Sequence, residues 1–86
     1  TCGEGVTIAV IDSGCDLNHP DLKASLVKGY NCINPKQDPQ DQNGHGSHVA
    51  GIIAAENNDF GVVGVANCAK IMPIQVLNRM GAGRMD

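Results

Sequence analysis

Apolar and polar positions follow two different rhythms along this chain. Residues 6–11 read VTIAVI, six positions without a charge and rich in β-branched side chains. Gly3 and Gly5 precede the run and Asp12-Ser13-Gly14 follows it, so the pattern predicts a buried parallel strand ending in a tight turn. Residues 15–22 read as a loop around an Asn18-His19-Pro20-Asp21 turn, and residues 24–30 are a candidate second short strand. Residues 34–43 are polar, hold two prolines and read as an exposed loop. The period then changes. Over residues 45–56, Val49, Ile52 and Ile53 recur with Ala50 and Ala54 at helical spacing, and Asn43 and Gly44 stand where such a helix would start. Residues 57–64 form a loop and residues 71–77 a second apolar run, read as a buried strand. Pro73 counts against a central place for that strand unless it lies at the start or at an irregularity. The order strand, loop, strand, helix, strand predicts an α/β fold with a mostly parallel sheet.

Length and charge narrow this picture. Eighty-six residues suffice for one small domain, and Tyr30 and Phe60 are the only aromatics, which argues against a core that is self-sufficient. A net charge of -3 argues against a nucleic-acid partner, which would select a basic patch. No apolar run approaches the roughly 20 residues of a membrane span. The chain starts at Thr1 and stops in mid-pattern at Asp86, so both ends read as cut and the lack of a leader is uninformative. Cys2, Cys15, Cys32 and Cys68 match no zinc-ribbon or Cys-x-x-Cys spacing. An even count permits disulfides in an oxidising compartment, but free, partly buried thiols are the expected state.

Three short segments carry candidate chemistry. Asp12 ends the first predicted strand, where active sites of open α/β sheets collect, although an Asp there can equally cap the following turn. His45 falls in the first turn of the predicted helix, between Gly44 and Gly46, which leave room for another backbone or a substrate to approach the ring. His48 is expected to turn into the helix–sheet packing. It stands three residues on, a His-x-x-His spacing that raises zinc, but no HExxH motif or third ligand accompanies it. His19 reads as a loop residue.

The run Val10-Ile11-Asp12-Ser13-Gly14, the turn His19-Pro20-Asp21-Leu22, the run from Asn43 through Gly51 (NGHGSHVAG) and the stretch 61–66 (GVVGVA) together resemble the Asp and His segments of the subtilisin-like serine proteases, the subtilase or peptidase S8 family. The segments stand in the family's order, with Asp12 and His45 separated by 33 residues, and the likeness runs from about Gly5 to Arg84. Ser47 stands where threonine is usual, and Asn67 where proline is usual. The resemblance implies a subtilisin-like α/β fold, a mostly parallel sheet flanked by helices, of which residues 1–86 form the amino-terminal part of the catalytic domain. It implies a serine endopeptidase in which Asp12 orients His45 and His45 acts as general base, then acid. The family's Gly-Thr-Ser-Met-Ala segment and oxyanion-hole asparagine are absent, so these 86 residues by themselves should not hydrolyse peptides.

The resemblance implies further sites. A structural calcium would take Asp21, the Asn58 side chain, and backbone carbonyls of Glu56, Phe60 and Val62, oxygen donors that suit that ion. Leu77, Gly81 and Gly83 would line the groove where an extended peptide or protein substrate pairs. An inhibitory propeptide would be a second peptide partner, with no nucleic acid and no membrane involved. Cys15 directly after Asp-Ser-Gly resembles bacterial intracellular subtilisins, which lack disulfides, and so points to the cytoplasm with secretion as the alternative. Two rival functions stand beside the protease: an inactive family member serving as a binding domain, and a metal-dependent hydrolase built on Asp12, His45 and His48.

Overall fold

The computed structural model describes residues 2–55 and 63–83. Its regular elements are strand β1 (Thr7–Asp12), a 3-10 turn (Lys23–Ser25), strand β2 (Tyr30–Asn31), helix α1 (His45–Ala54) and strand β3 (Lys70–Gln75). The three strands form one parallel sheet in the order β1-β3-β2. This is the predicted α/β architecture with its parallel sheet.

The central strand holds the proline. Lys70 N–H donates to Val6 O and Val76 N–H to Asp12 O, so the even positions of β3 face β1. Ile71 O accepts from Val27 and Gln75 O from Cys32, so the odd positions face β2. Pro73 is odd, and its missing N–H therefore falls on the β2 side. There the pairing is interrupted: Leu26 bridges Ile71, and β2 resumes at Tyr30 opposite Ile74. Gly29 lies directly over the Pro73 carbonyl, where an added Cβ would come within 1.9 Å of the oxygen. The proline sits at an irregularity, as its tolerance requires. The same gap explains why the candidate strand over residues 24–30 shrinks to a 3-10 turn, one bridge and the two residues of β2.

Register places Asp12 beside Gln75 and Gln75 beside Asn31. In-register neighbours share a face, so these three buried polar side chains form a row across the carboxyl ends of the strands. Helix α1 buries Gly46, Ala50 and Ala54. Ala50 and Ala54 join Val10, Cys15, Leu22 and Ile71 in the core. Small residues let the helix backbone approach closely: a Cβ on Gly46 would lie 2.0 Å from Gly14 O. The opposite face of β1 presents Thr7, Ala9 and Ile11 outward.

The cysteines depart from expectation. Cys2 and Cys68 are joined in a disulfide, while Cys15, buried, and Cys32, exposed, are free. The residues are 66 apart in sequence, and spacing alone could not announce the pair. They meet because β1 and β3 are parallel neighbours, which brings together the segments that enter them.

Candidate active site

The site grows from the turn that follows β1. After Asp12 the chain turns through Ser13 and Gly14 and pairs with residues 39–41: Cys15 N–H donates to Pro39 O (3.0 Å), and Asp41 N–H to Cys15 O (2.8 Å). This delivers Asp41 to the start of α1. The first turn of any helix leaves backbone donors without intrahelical acceptors. Here side chains accept them. Asn43 Oδ1 takes His45 N–H (3.1 Å), Ser13 Oγ takes Gly46 N–H (2.9 Å), and Asp41 Oδ2 takes Ser47 N–H (2.8 Å). Asp41 Oδ1 also accepts from Asn43 N–H, Gly44 N–H and the Ser13 hydroxyl, and its Oδ2 from the Ser47 hydroxyl. Burial works to raise the Asp41 carboxyl, but hydrogen bonds from Gly44, Ser47 and Asn43 outweigh it and bring the pKa from 3.8 to about 2. A carboxylate at this helix end also complements the helix dipole.

With its entry fixed, α1 presents His45 to Asp12. His45 Nδ1–H donates to Asp12 Oδ2 at 2.7 Å. The other carboxylate oxygen, Oδ1, accepts Ser13 N–H at 2.7 Å, so both oxygens have assigned donors and the carboxylate plane is set. The Asp12 side chain is 12% exposed and that of His45 63%. The pair is thus anchored on the acid side and open on the imidazole side, with Nδ1 engaged by Asp12. None of the chain's three serines fills a nucleophile's place among the described contacts. The Ser13 and Ser47 hydroxyls are committed to Asp41, and Ser25 is buried in the 3-10 turn.

Other predicted positions fall as follows. Leu77 is the second residue beyond β3, and its N–H shares the Asp12 carbonyl (3.2 Å) with Val76 (2.8 Å). Gly81 lies near Asn43, whose Nδ2 donates to Arg79 O (2.9 Å), so this loop is tied two residues ahead of His45. Gly83 packs on Val76 and Leu77, where a Cβ would reach 2.5 Å from Val76 O. Of the calcium positions, Asp21 is buried at 5% exposure with its N–H on His19 Nδ1 (3.1 Å), while Glu56, Asn58, Phe60 and Val62 lie outside the described residues. His48 does not turn into the packing. It is exposed and lines a cleft of about 550 Å³ with His19, Asp21 and Ile52, because the helix spends its inward positions on glycine and alanine. Among the described residues no three His, Cys, Asp or Glu side chains gather as a metal-binding group, which leaves Asp12, His45 and His48 without the convergence a metal hydrolase needs.

Sequence reading placed Asn43 at the helix start but missed Asp41 and Ser13 as supports of the pair. Asp41 was hidden in a segment read as an exposed loop. A trace of it was visible: an Asp three residues before the glycine that caps a predicted helix, with a serine three residues inside it.

Comparison with known proteins points to one family. The model of the subtilase family matches residues 3–86. The chain is 52% identical over 90 residues to an intracellular serine protease of Paenibacillus polymyxa, covering all of this chain and 28% of that protein. It is 44% identical over 82 residues to thermitase of Thermoactinomyces vulgaris, covering 94% of this chain and 29% of that protein. It is 42% identical over 89 residues to the major intracellular serine protease of Bacillus subtilis, covering 98% and 28%. The chain therefore spans little more than a quarter of the length of these relatives. Its parallel sheet, its Asp12–His45 pair and these matches together place it, and the chain belongs to the subtilase family.

Proposed function

We propose that this chain carries the acid and base of a serine endopeptidase, with the nucleophilic serine supplied from outside these 86 residues. The 2.7 Å contact from His45 Nδ1 to Asp12 Oδ2, with Nε2 on the open side, carries the reading. The serine hydroxyl would pass its proton to His45 Nε2 as its oxygen attacks the peptide carbonyl. Asp12 would hold the imidazolium by its charge without taking the proton, and the Nε2 proton would then go to the leaving amine. Water would hydrolyse the acyl-enzyme by the same relay. Exposed Gly81 and Gly83, beside Leu77, would offer main-chain groups to an extended peptide, a propeptide included.

A structural calcium fits one observation. The buried Asp21 carboxylate lines the cleft together with Ala55 and Val63, the residues that flank the other four proposed oxygen donors in sequence. The ion would tie residues 56–62 to Asp21 and would take no part in the chemistry. For the compartment, two relatives bear names that call them intracellular, which supports the cytoplasm. The Cys2–Cys68 bond favours the secreted alternative, since disulfides persist in oxidising surroundings.

The test uses the full-length protein and a fluorophosphonate probe for activated serines. Labelling of the wild type that disappears in His45→Ala and falls steeply in Asp12→Asn supports the triad. A folded wild type that resists the probe sinks the protease reading and leaves the inactive binding domain.

A further inference from the structure

We propose that Cys2–Cys68 is a redox-modification site, a reversible clip that fixes the arm leading into β1 (residues 2–6) to the head of β3 and reacts with small thiols of the glutathione type. The bond joins residue 2, five positions before β1, to residue 68, two positions before the strand that pairs with β1. Its place matters because, among the described residues, this segment has few other ties. Glu4, Gly5 and Val6 are exposed. Among the described residues the other ties are Cys68 N–H to Cys2 O (2.8 Å), Lys70 N–H to Val6 O (2.8 Å), and Gly3 against the methyl groups of Ala66 and Ala69. Gly3 makes that approach with φ +85, and a Cβ there would stand 3.1 Å from each alanine Cβ.

These ties set the two Cα atoms 4.9 Å apart, inside the span a disulfide bridges. They bury no large side chain. The arm is thus positioned well enough to re-form the bond after reduction, and without the bond two hydrogen bonds and the Gly3 contact hold it among the described residues. Reagent access is one-sided: Cys68 is exposed and Cys2 half-buried. A small thiolate attacks the Cys68 sulfur, forming a mixed disulfide there and expelling the Cys2 thiolate. The proton released by the attacking thiol goes to Cys2. A second thiol then attacks the mixed disulfide, so that two thiols are oxidised to one small disulfide and the protein gains two electrons as two thiols. Exposed disulfides are the ones open to such exchange. The change is local to the arm, since Asp12 and His45 lie at the opposite end of β1.

The experiment uses the full-length protein carrying His45→Ala to prevent self-digestion, compared with the same protein bearing Cys2→Ser and Cys68→Ser. Non-reduced peptide mapping after air oxidation should give one cross-linked peptide containing both cysteines. Millimolar reduced glutathione, without denaturant, should open it, and oxidised glutathione should restore it. Opening should lower the melting temperature by about 5–10 °C, to that of the double variant, which itself should ignore the thiol. Free thiols at both positions after oxidation overturn the proposal. So does a cross-link that glutathione leaves intact in the folded protein, which would make it a permanent staple. Equal melting of the two proteins in both buffers would overturn it as well.

Discussion

Gly46→Ala asks how much room the active site has at its closest backbone crossing. The added Cβ would lie 2.0 Å from Gly14 O and 3.1 Å from Gly14 C and N. Relaxed carbon–oxygen contact needs well over 3 Å, so something must give by roughly 1.3 Å. Gly14 cannot retreat. It sits at φ +99 with Pro39 O behind it, where its own Cβ would be 2.4 Å away, and the Cys15–Pro39 and Asp41–Cys15 hydrogen bonds fix that strand. The helix must therefore lift. That stretches Gly46 N–H to Ser13 Oγ from 2.9 Å and draws His45 Nδ1 away from Asp12 Oδ2. Overpacking of about 1–3 kcal/mol plus one hydrogen bond of about 1 kcal/mol gives a loss of roughly 2–4 kcal/mol. If the pair acts as proposed, a displacement near 1 Å costs on the order of 100-fold in rate. The matched control is Gly51→Ala on the same helix, whose Cβ would meet nothing within 4 Å. It should be neutral or add about 0.5–1 kcal/mol. Thermal unfolding and kcat/KM on a peptide substrate, measured for both variants of the full-length protein, decide the matter. A Gly46→Ala protein within threefold of Gly51→Ala in kcat/KM would refute the close-crossing argument.

Three other expectations concern groups around the pair. Asp41 has a folded pKa of about 2 against an ordinary 3.8, so its stabilisation is complete above about pH 4 and disappears as pH falls through 2; acid unfolding of the wild type should show this loss, worth about 1–2 kcal/mol after solvent screening, and Asp41→Asn should flatten it. Burial first, then the charges of Asp41, Asp12 and Asp16, push the Cys15 thiol from 9.0 to about 11, so at pH 8 its thiolate fraction is about 100-fold below an ordinary thiol's. Iodoacetamide footprinting should then modify exposed Cys32 while sparing Cys15 until the protein unfolds, and comparable rates would contradict the burial. Calcium removal with a chelator should lower the melting temperature of the wild type by several degrees and leave Asp21→Asn unmoved, read by calorimetry with calcium restored as the control.

Elements with strong period were legible in the sequence, and so was the pair they carry. The apolar run after Gly5 gave β1 within one residue, and the spacing of Val49, Ala50, Ile53 and Ala54 gave α1 from its first residue. Asp12 and His45 stood out at the end of one element and the start of another, and the resemblance to subtilases chose between readings that position alone left open. What escaped depends on three-dimensional neighbours. The shortness of β2 follows from Pro73 across the sheet. The disulfide follows from strands 63 residues apart at their starts pairing in parallel. Asp41 becomes a hub only once residues 39–41 pair beside Cys15, and a polar loop does not reveal which of its carboxylates will turn inward.

Pro73 has a consequence beyond the gap it faces. A parallel strand can slide along its neighbour, and a slip of one residue exchanges the two sides on which its hydrogen-bonding groups point. In the observed phase the proline's missing donor faces the interrupted edge and costs the ladder nothing. One step out of phase, that vacancy would confront β1 in the middle of its six-residue pairing, and a buried acceptor would go unanswered. The proline thus acts as a timing mark for assembly: it makes the wrong phase expensive, and so it keeps Gln75 abreast of Asp12 and holds level the edge from which His45 is met.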